Sequence, residues 1–266
     1  MSKGIKVIAT ALILVFYCTL TYSSRWTAIA GSTLIILSSR VVWSKNGMEV
    51  IGLRVPRRQI GISLLLFCMV LFCSFRIVST IARHEGVILV PVYEKEEWPS
   101  LLVHTIGQTL NEEMVLGALF LKAIKDRFRF LRPSVTSTGV ALIFSALHYA
   151  FYGLRPPQSA NYGILSMTTL VSLFAMGVVR NNCILSTGNV GYAWALHLGW
   201  NIAFIDGSFY LPAPSIRYPE PAMFNLILGH GTVATVASLF MALSFLLLAK
   251  GSSEGPSTDG GRMALG

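Results

Sequence analysis

The chain has 266 residues, 53% of them hydrophobic and only 12% charged. That is about half the charged fraction of a soluble domain, and the apolar residues come in long blocks, so a soluble enzyme is excluded and the membrane is indicated. The net charge of +9 would suit a nucleic-acid partner, but the basic residues cluster in short loops between apolar blocks. That is the positive-inside bias of membrane proteins, and no aromatic-basic nucleic-acid module is visible.

In chain order the apolar blocks predict an all-α, polytopic membrane helix bundle of about eight spans, each long enough to cross a bilayer. The spans are 5–22, 27–43, 60–80, 100–121, 136–152, 162–180, 183–205 and 224–249. The basic start and apolar run of the first resemble a signal peptide, but no small-x-small cleavage site follows, so it reads as a helix. Asn181-Asn182 is expected to be the whole turn between the sixth and seventh spans. The tail from Gly251 is small and polar and is expected to be disordered. Three regions follow: N-terminal helices with an acidic outer loop (1–99), a helical core (100–250) and the tail (251–266). Cys18, Cys68, Cys73 and Cys183 fall in apolar blocks without metal-ligand spacing and read as small hydrophobes.

Orientation follows from the Lys/Arg count. With the N-terminus inside, 15 of the 21 basic residues, including Arg180, fall on the cytoplasmic side. The other side carries Arg25, Arg76, Arg83, Lys95, Arg155, Arg217 and the acidic loop Glu94-Lys95-Glu96-Glu97. Both termini are therefore expected in the cytoplasm.

Ionisable groups in hydrocarbon are costly and usually functional. Of the 12 acidic residues, only Glu112 and Glu113 fall near the middle of an apolar span, LLVHTIGQTLNEEMVLGALF. A protonated packing role is the plain alternative for such a carboxyl. Residues four apart share a helix face. Phe144 and His148 so pair in the fifth span, and His197 and Asn201 in the seventh. Glu112 and Glu113 are about 100° apart on their helix, so one should face a cleft and the other a neighbouring helix. His148 and His197 could equally be packed core histidines, and Asn201 an interhelical hydrogen-bond donor. His84, His104 and His230 match no pattern and are expected to be structural.

These elements, in this order and each on its own span, resemble the CPBP family of intramembrane glutamic proteases, which includes the type II CAAX prenyl endopeptidases and the Abi-type proteins. The family pattern is E-E-x-x-x-R, then F-x-x-x-H, then H-x-x-x-N, and the resemblance covers about residues 100 to 205. It implies that Glu112 is the general base activating a water, that His148 helps to hold that water, and that His197 and Asn201 stabilise the oxyanion. Glu113 and Phe144 are supporting residues. The resemblance requires no metal or other cofactor; two histidines and a glutamate could bind zinc, but no H-E-x-x-H is present. One departure is Gly117, which stands where the family pattern has arginine. Glu113 must then find another cation or take up a proton, and Arg76 is a candidate partner.

If the topology holds, the site lies in the extracytoplasmic half. The resemblance then points to the sorting-associated branch of the family, of the myxosortase or JDVT-CTERM type. The substrate implied is a membrane-anchored or C-terminally anchored protein, cut near the outer face. The implied location is the bilayer of a bacterial inner membrane. Two other function classes stay open: a non-catalytic Abi-like immunity or scaffold protein, which the loss of the arginine favours, and a transporter using the glutamates as a proton relay. A CAAX-type prenyl endopeptidase facing the cytoplasm is a further alternative.

Overall fold

The computed structural model describes residues 3–20, 27–43, 47–84, 86, 88–90, 98–154, 164–204, 211–213, 225 and 227–253. They form α1 (Lys3–Leu20), α2 (Thr27–Trp43), α3 (Gly47–Val50), α4 (Arg57–His84), β1 (Ile88–Val90) and α5 (Trp98–Glu112). A π-helical segment (Glu113–Phe120) continues α5 and runs into α6 (Leu121–Arg127). The rest are α7 (Pro133–Leu154), α8 (Met167–Thr187), α9 (Gly191–Phe204), β2 (Leu211–Ala213) and α10 (Gly231–Ser253). The helical architecture is as expected, with one addition. β1 and β2 pair antiparallel, Leu89 opposite Pro212, and join the segment after α4 to the segment after α9.

Three of the described helices are long and apolar enough to cross a membrane: Arg57–His84, Met167–Thr187 and Gly231–Gly251. Gly4–Ile13 and Ala30–Trp43 are shorter apolar stretches. Large apolar side chains stand exposed on α4 (Leu64, Leu65, Phe72) and on α10 (Leu243, Leu246). On a polytopic protein such surfaces are lipid-facing, because hydrocarbon solvates them as well as a core does. The acidic loop at 94–97 and Arg25, Lys45, Arg155, Arg217 and Arg262 lie outside the described residues, as does the tail beyond Ser253.

At the centre lies the π-helical segment, all eight residues of which are buried. A helix apolar all round must be enclosed on every side, and α1, α2, α7, α8 and α9 all touch this one. Small residues allow the close approaches elsewhere. A Cβ at Gly199 of α9 would sit 3.0 Å from the Phe67 carbonyl oxygen of α4, the kind of contact by which helices pack without a hydrophobic driving force.

The turn between the sixth and seventh spans is not at Asn181-Asn182. Helix α8 runs through both to Thr187, and both asparagines are buried. Asn181 Nδ2 donates to Ser137 O on α7 (2.9 Å), and Asn182 Nδ2 donates to Ser244 Oγ on α10 (2.8 Å). The polar pair therefore joins helices rather than ending one. The helix stops at Gly188, whose φ of 75° closes the Gly188 N–H onto Ile184 O at 2.8 Å. Arg180 correspondingly leaves the set of inner-loop basic residues; its side chain is buried.

Lys122, just past the fourth predicted span, staples this end of the bundle. Its Nζ donates to Glu49 O at 3.0 Å and to Gly188 O at 2.9 Å. Burial pushes its pKa down from 10.5 to about 8, against the pull of Glu49 and Asp126. The folded protein thus gives up this proton first as pH rises, so the stability penalty is full below pH 8 and is relieved between 8 and 10.5. Melting of the detergent-solubilised protein should show it. Between about pH 7 and about pH 10 the melting temperature of wild type should rise relative to Lys122→Met. A difference that is the same at both pH values would contradict this.

Candidate active site

Glu112 closes α5 and Glu113 opens the π-helical segment. Neighbouring helical side chains diverge by about 100°, and the two carboxylates do so. Glu113 is fully buried, whereas the Glu112 side chain keeps 14% exposure. Gln108, one turn before Glu112, donates Nε2–H to Glu112 Oε1 at 3.3 Å. π-helical turns are rare and often found at functional sites. Cross-helix hydrogen bonds hold this stretch in place. Ser32 of α2 donates to Asn111 Oδ1 at 2.6 Å, and Trp194 Nε1 of α9 donates to Thr109 Oγ1 at 3.1 Å.

Helix α9 brings His197 between the two carboxylates. Trp194 and His197 are three apart and share a face, so the bond to Thr109 also turns His197 toward α5. His197 Nδ1 is 2.8 Å from Glu113 Oε1, and its Nε2 is 3.7 Å from Glu112 Oε2. With Nδ1–H donating to the Glu113 carboxylate, Nε2 is the nitrogen left facing Glu112. Asn201 follows one turn later, buried, and its amide makes no hydrogen bond among the described residues.

From α7 come Phe144 and His148. His148 Nδ1–H donates to Phe144 O at 2.9 Å, one turn back, which leaves Nε2 as the acceptor. His148 lies within electrostatic reach of Glu112, His197 and Arg180. The Phe144 ring meets the His148 ring edge-on at 4.4 Å between centroids. The guanidinium of Arg180 lies 4.2 Å from the same ring's centroid. Phe144→Leu is therefore expected to cost about 2 kcal/mol of stability in detergent unfolding, the value of a desolvated cation–π contact. A loss no larger than that of an exposed apolar substitution would refute the contact's importance.

Arg180, from α8, is the cation beside Glu113, its Nε 3.8 Å from Glu113 Oε2. This corrects the expectation about Arg76, which is exposed on α4. Arg180 Nη1 and Nη2 are buried without a hydrogen-bond partner among the described residues. A Cβ at Gly117 would sit 2.6 Å from Ile184 Cδ1, 2.9 Å from Glu113 Oε2 and 3.6 Å from Arg180 Cδ. No side chain at 117 fits while Glu113, Ile184 and Arg180 hold these places.

The structure thus brings Glu112, Glu113, His148 and His197 to one centre, with Phe144 packed beside it and Asn201 one turn along α9 from His197. Arg180 and Gln108 are additions to the sequence reading. Gln108 could have been found from its place four residues before Glu112 on the same face. Arg180 looks like a loop cation in the sequence because Asn181-Asn182 resembles a turn. Of the remaining histidines, His230 accepts from Thr232 N at 3.3 Å at the start of α10. Among the described residues no three His, Cys, Asp or Glu side chains are grouped so as to hold a metal ion.

Residues 94–203 match the family model described as Type II CAAX prenyl endopeptidase Rce1-like. Searches of curated proteins and of solved structures gave no match. The matched segment begins just before α5, ends at the last turn of α9, and includes every side chain of the centre described above. Over residues 94–203 the chain is therefore similar to the Rce1-like type II CAAX prenyl endopeptidases of the CPBP family.

Proposed function

We propose that the chain is an intramembrane glutamic-type endopeptidase that hydrolyses a peptide bond in a membrane-anchored or C-terminally anchored protein. The observation that carries this reading is His197 bridging two carboxylates at 2.8 and 3.7 Å inside the Rce1-like segment. Glu112, the less buried of the pair, takes a proton from water as the water oxygen attacks the scissile carbonyl carbon. His148 Nε2, an acceptor because Nδ1–H is committed to Phe144 O, holds the second water hydrogen. The carbonyl electron pair moves onto oxygen, where the Asn201 amide N–H and a protonated His197 Nε2 donate to it. Collapse breaks the C–N bond, and Glu112 returns its proton to the departing nitrogen. Serine and cysteine nucleophiles and a metal have no place in this sequence of steps.

The reading includes about eight spans with both termini in the cytoplasm. Arg180 moves into the core, and the remaining Lys/Arg bias still supports that orientation. The fifth and seventh spans then run outward, and the cleft opens in the extracytoplasmic half. An anchored segment cut near the outer face, as in the protein-sorting branch of the family, fits this best, in a bacterial inner membrane. A second reading, a prenylated CAAX protein cut from the cytoplasmic side, is favoured by the description of the matching family model.

Two probes separate the readings in proteoliposomes: a reporter with one C-terminal transmembrane anchor, and a farnesylated peptide ending in Cys, two aliphatic residues and a variable one. Cleavage of the reporter, lost in Glu112→Ala, supports the first reading. Cleavage of the farnesylated peptide alone supports the second. Wild type that cuts neither, or Glu112→Ala that cuts as well as wild type, overturns the peptidase mechanism. Cysteine-accessibility labelling that places position 148 or 201 on the cytoplasmic side would sink the outward-opening cleft.

A further inference from the structure

The peptidase steps use Glu113 only to hold His197, and leave Arg180 without a task. Yet Arg180 is 4% exposed, and the position of so buried a cation needs a reason. Among the described residues, Glu113 has two cationic partners, Arg180 and His197. The one-turn position where an arginine on the same helix could have met Glu113 is Gly117, and the missing side chain there is what leaves room for the Arg180 stem, whose Cδ comes within 3.6 Å of a Cβ built at that position. The aliphatic stem thus crosses where a 117 side chain would stand, and Phe144 supplies the surface on which the guanidinium lies. The same ring abuts His148, so one cation is fixed against both the Glu113–His197 pair and the other histidine.

We propose that Arg180 is a positioning residue supplied by α8 in place of a cation on the π-helical segment. It balances the Glu113 carboxylate, so that Glu113 holds His197 with Nδ1 protonated and Nε2 turned to Glu112. Gly117 and Arg180 form one unit: each requires the other's size. The effect on catalysis rests on the peptidase reading, whereas the effect on the His197 tautomer does not.

The test uses the full chain in nanodiscs labelled with 15N-histidine, the His197 signals being assigned by loss in His197→Asn. Arg180→Met should shift the His197 15N pattern away from protonation at Nδ1 and should lower kcat on the anchored reporter roughly tenfold to a hundredfold, with KM changed by less than about twofold. Arg180→Lys should lie between Met and wild type. The triple variant Gly117→Arg, Ile184→Ala, Arg180→Ala, which moves the cation onto the π-helical segment and clears space for it, should recover the wild-type pattern. A folded Arg180→Met with an unchanged His197 pattern overturns the proposal, whatever its activity. If Arg180→Met does not fold, the triple variant decides: recovery of fold and pattern supports the unit, and failure overturns it. A wild type that cleaves neither the reporter nor the farnesylated peptide, but whose His197 pattern changes in Arg180→Met, keeps the positioning role and removes the peptidase reading.

Discussion

Glu112→Gln should lower turnover of the anchored reporter by roughly a thousandfold, the middle of the range for a general acid–base group. Glu113→Gln should lower it by only about tenfold to a hundredfold, as when the partner that orients a functional histidine is lost. The two are adjacent in sequence and chemically identical, so the difference lies in their surroundings. Glu112 keeps 14% exposure, hydrogen-bonds to Gln108, and stands 3.7 Å from His197 Nε2, which leaves a lone pair for water. Glu113 is fully buried, with one oxygen on His197 Nδ1 at 2.8 Å and the other facing Arg180 at 3.8 Å. No substrate water reaches a carboxylate so enclosed. Initial rates on the reporter, corrected for folded fraction by size-exclusion chromatography, measure both variants. Equal losses, or a larger loss at Glu113, would reverse the roles assigned here.

How much of this was legible in the sequence depends on how rare the residue types are in hydrocarbon. Carboxylates and imidazoles are expensive inside a membrane, so Glu112, Glu113, His148 and His197 stood out against apolar spans. Their helical spacing was enough to assign faces. The divergence of the two glutamates followed from 100° of rotation, which the burial of Glu113 matches. Arg180, Asn181 and Asn182 are illegible in the sequence because three consecutive polar residues between apolar blocks look like a turn. In the fold each meets a partner across a different interface, Glu113, Ser137 and Ser244 respectively. Such long-range partners leave no local trace. The true stop was present as Ser-Thr-Gly-Asn, where Gly188 takes a positive φ. The π-helical run at Glu113–Phe120 has no visible signal, since its mostly apolar residues read like those of an α-helical span. Its burial on all sides is a consequence of five neighbouring helices, which no local pattern encodes.

Removing Glu113 should harm the fold more than removing Arg180. Truncating one member of a buried charge pair typically costs about 3–5 kcal/mol, mostly because the other charge is left unpaired. The two members are unequally provided for. Without Arg180, Glu113 keeps its 2.8 Å hydrogen bond to His197 Nδ1, whichever partner holds the proton. Without Glu113, the guanidinium keeps only the Phe144 face at 4.2 Å and a long contact from Nε to Asn181 Oδ1 at 3.5 Å, while Nη1 and Nη2 have no hydrogen-bond partner among the described residues. Glu113→Leu should therefore lose about 4 kcal/mol in reversible detergent unfolding, and Arg180→Met, which preserves the stem's volume, less than half of that. The double variant Glu113→Leu, Arg180→Met removes both charges and should be more stable than Glu113→Leu alone. That non-additivity is the signature of coupling between the two sites. Additive losses in the cycle would mean that Arg180 finds its counter-charge elsewhere, and the Glu113–Arg180 contact would then be proximity without energetic weight.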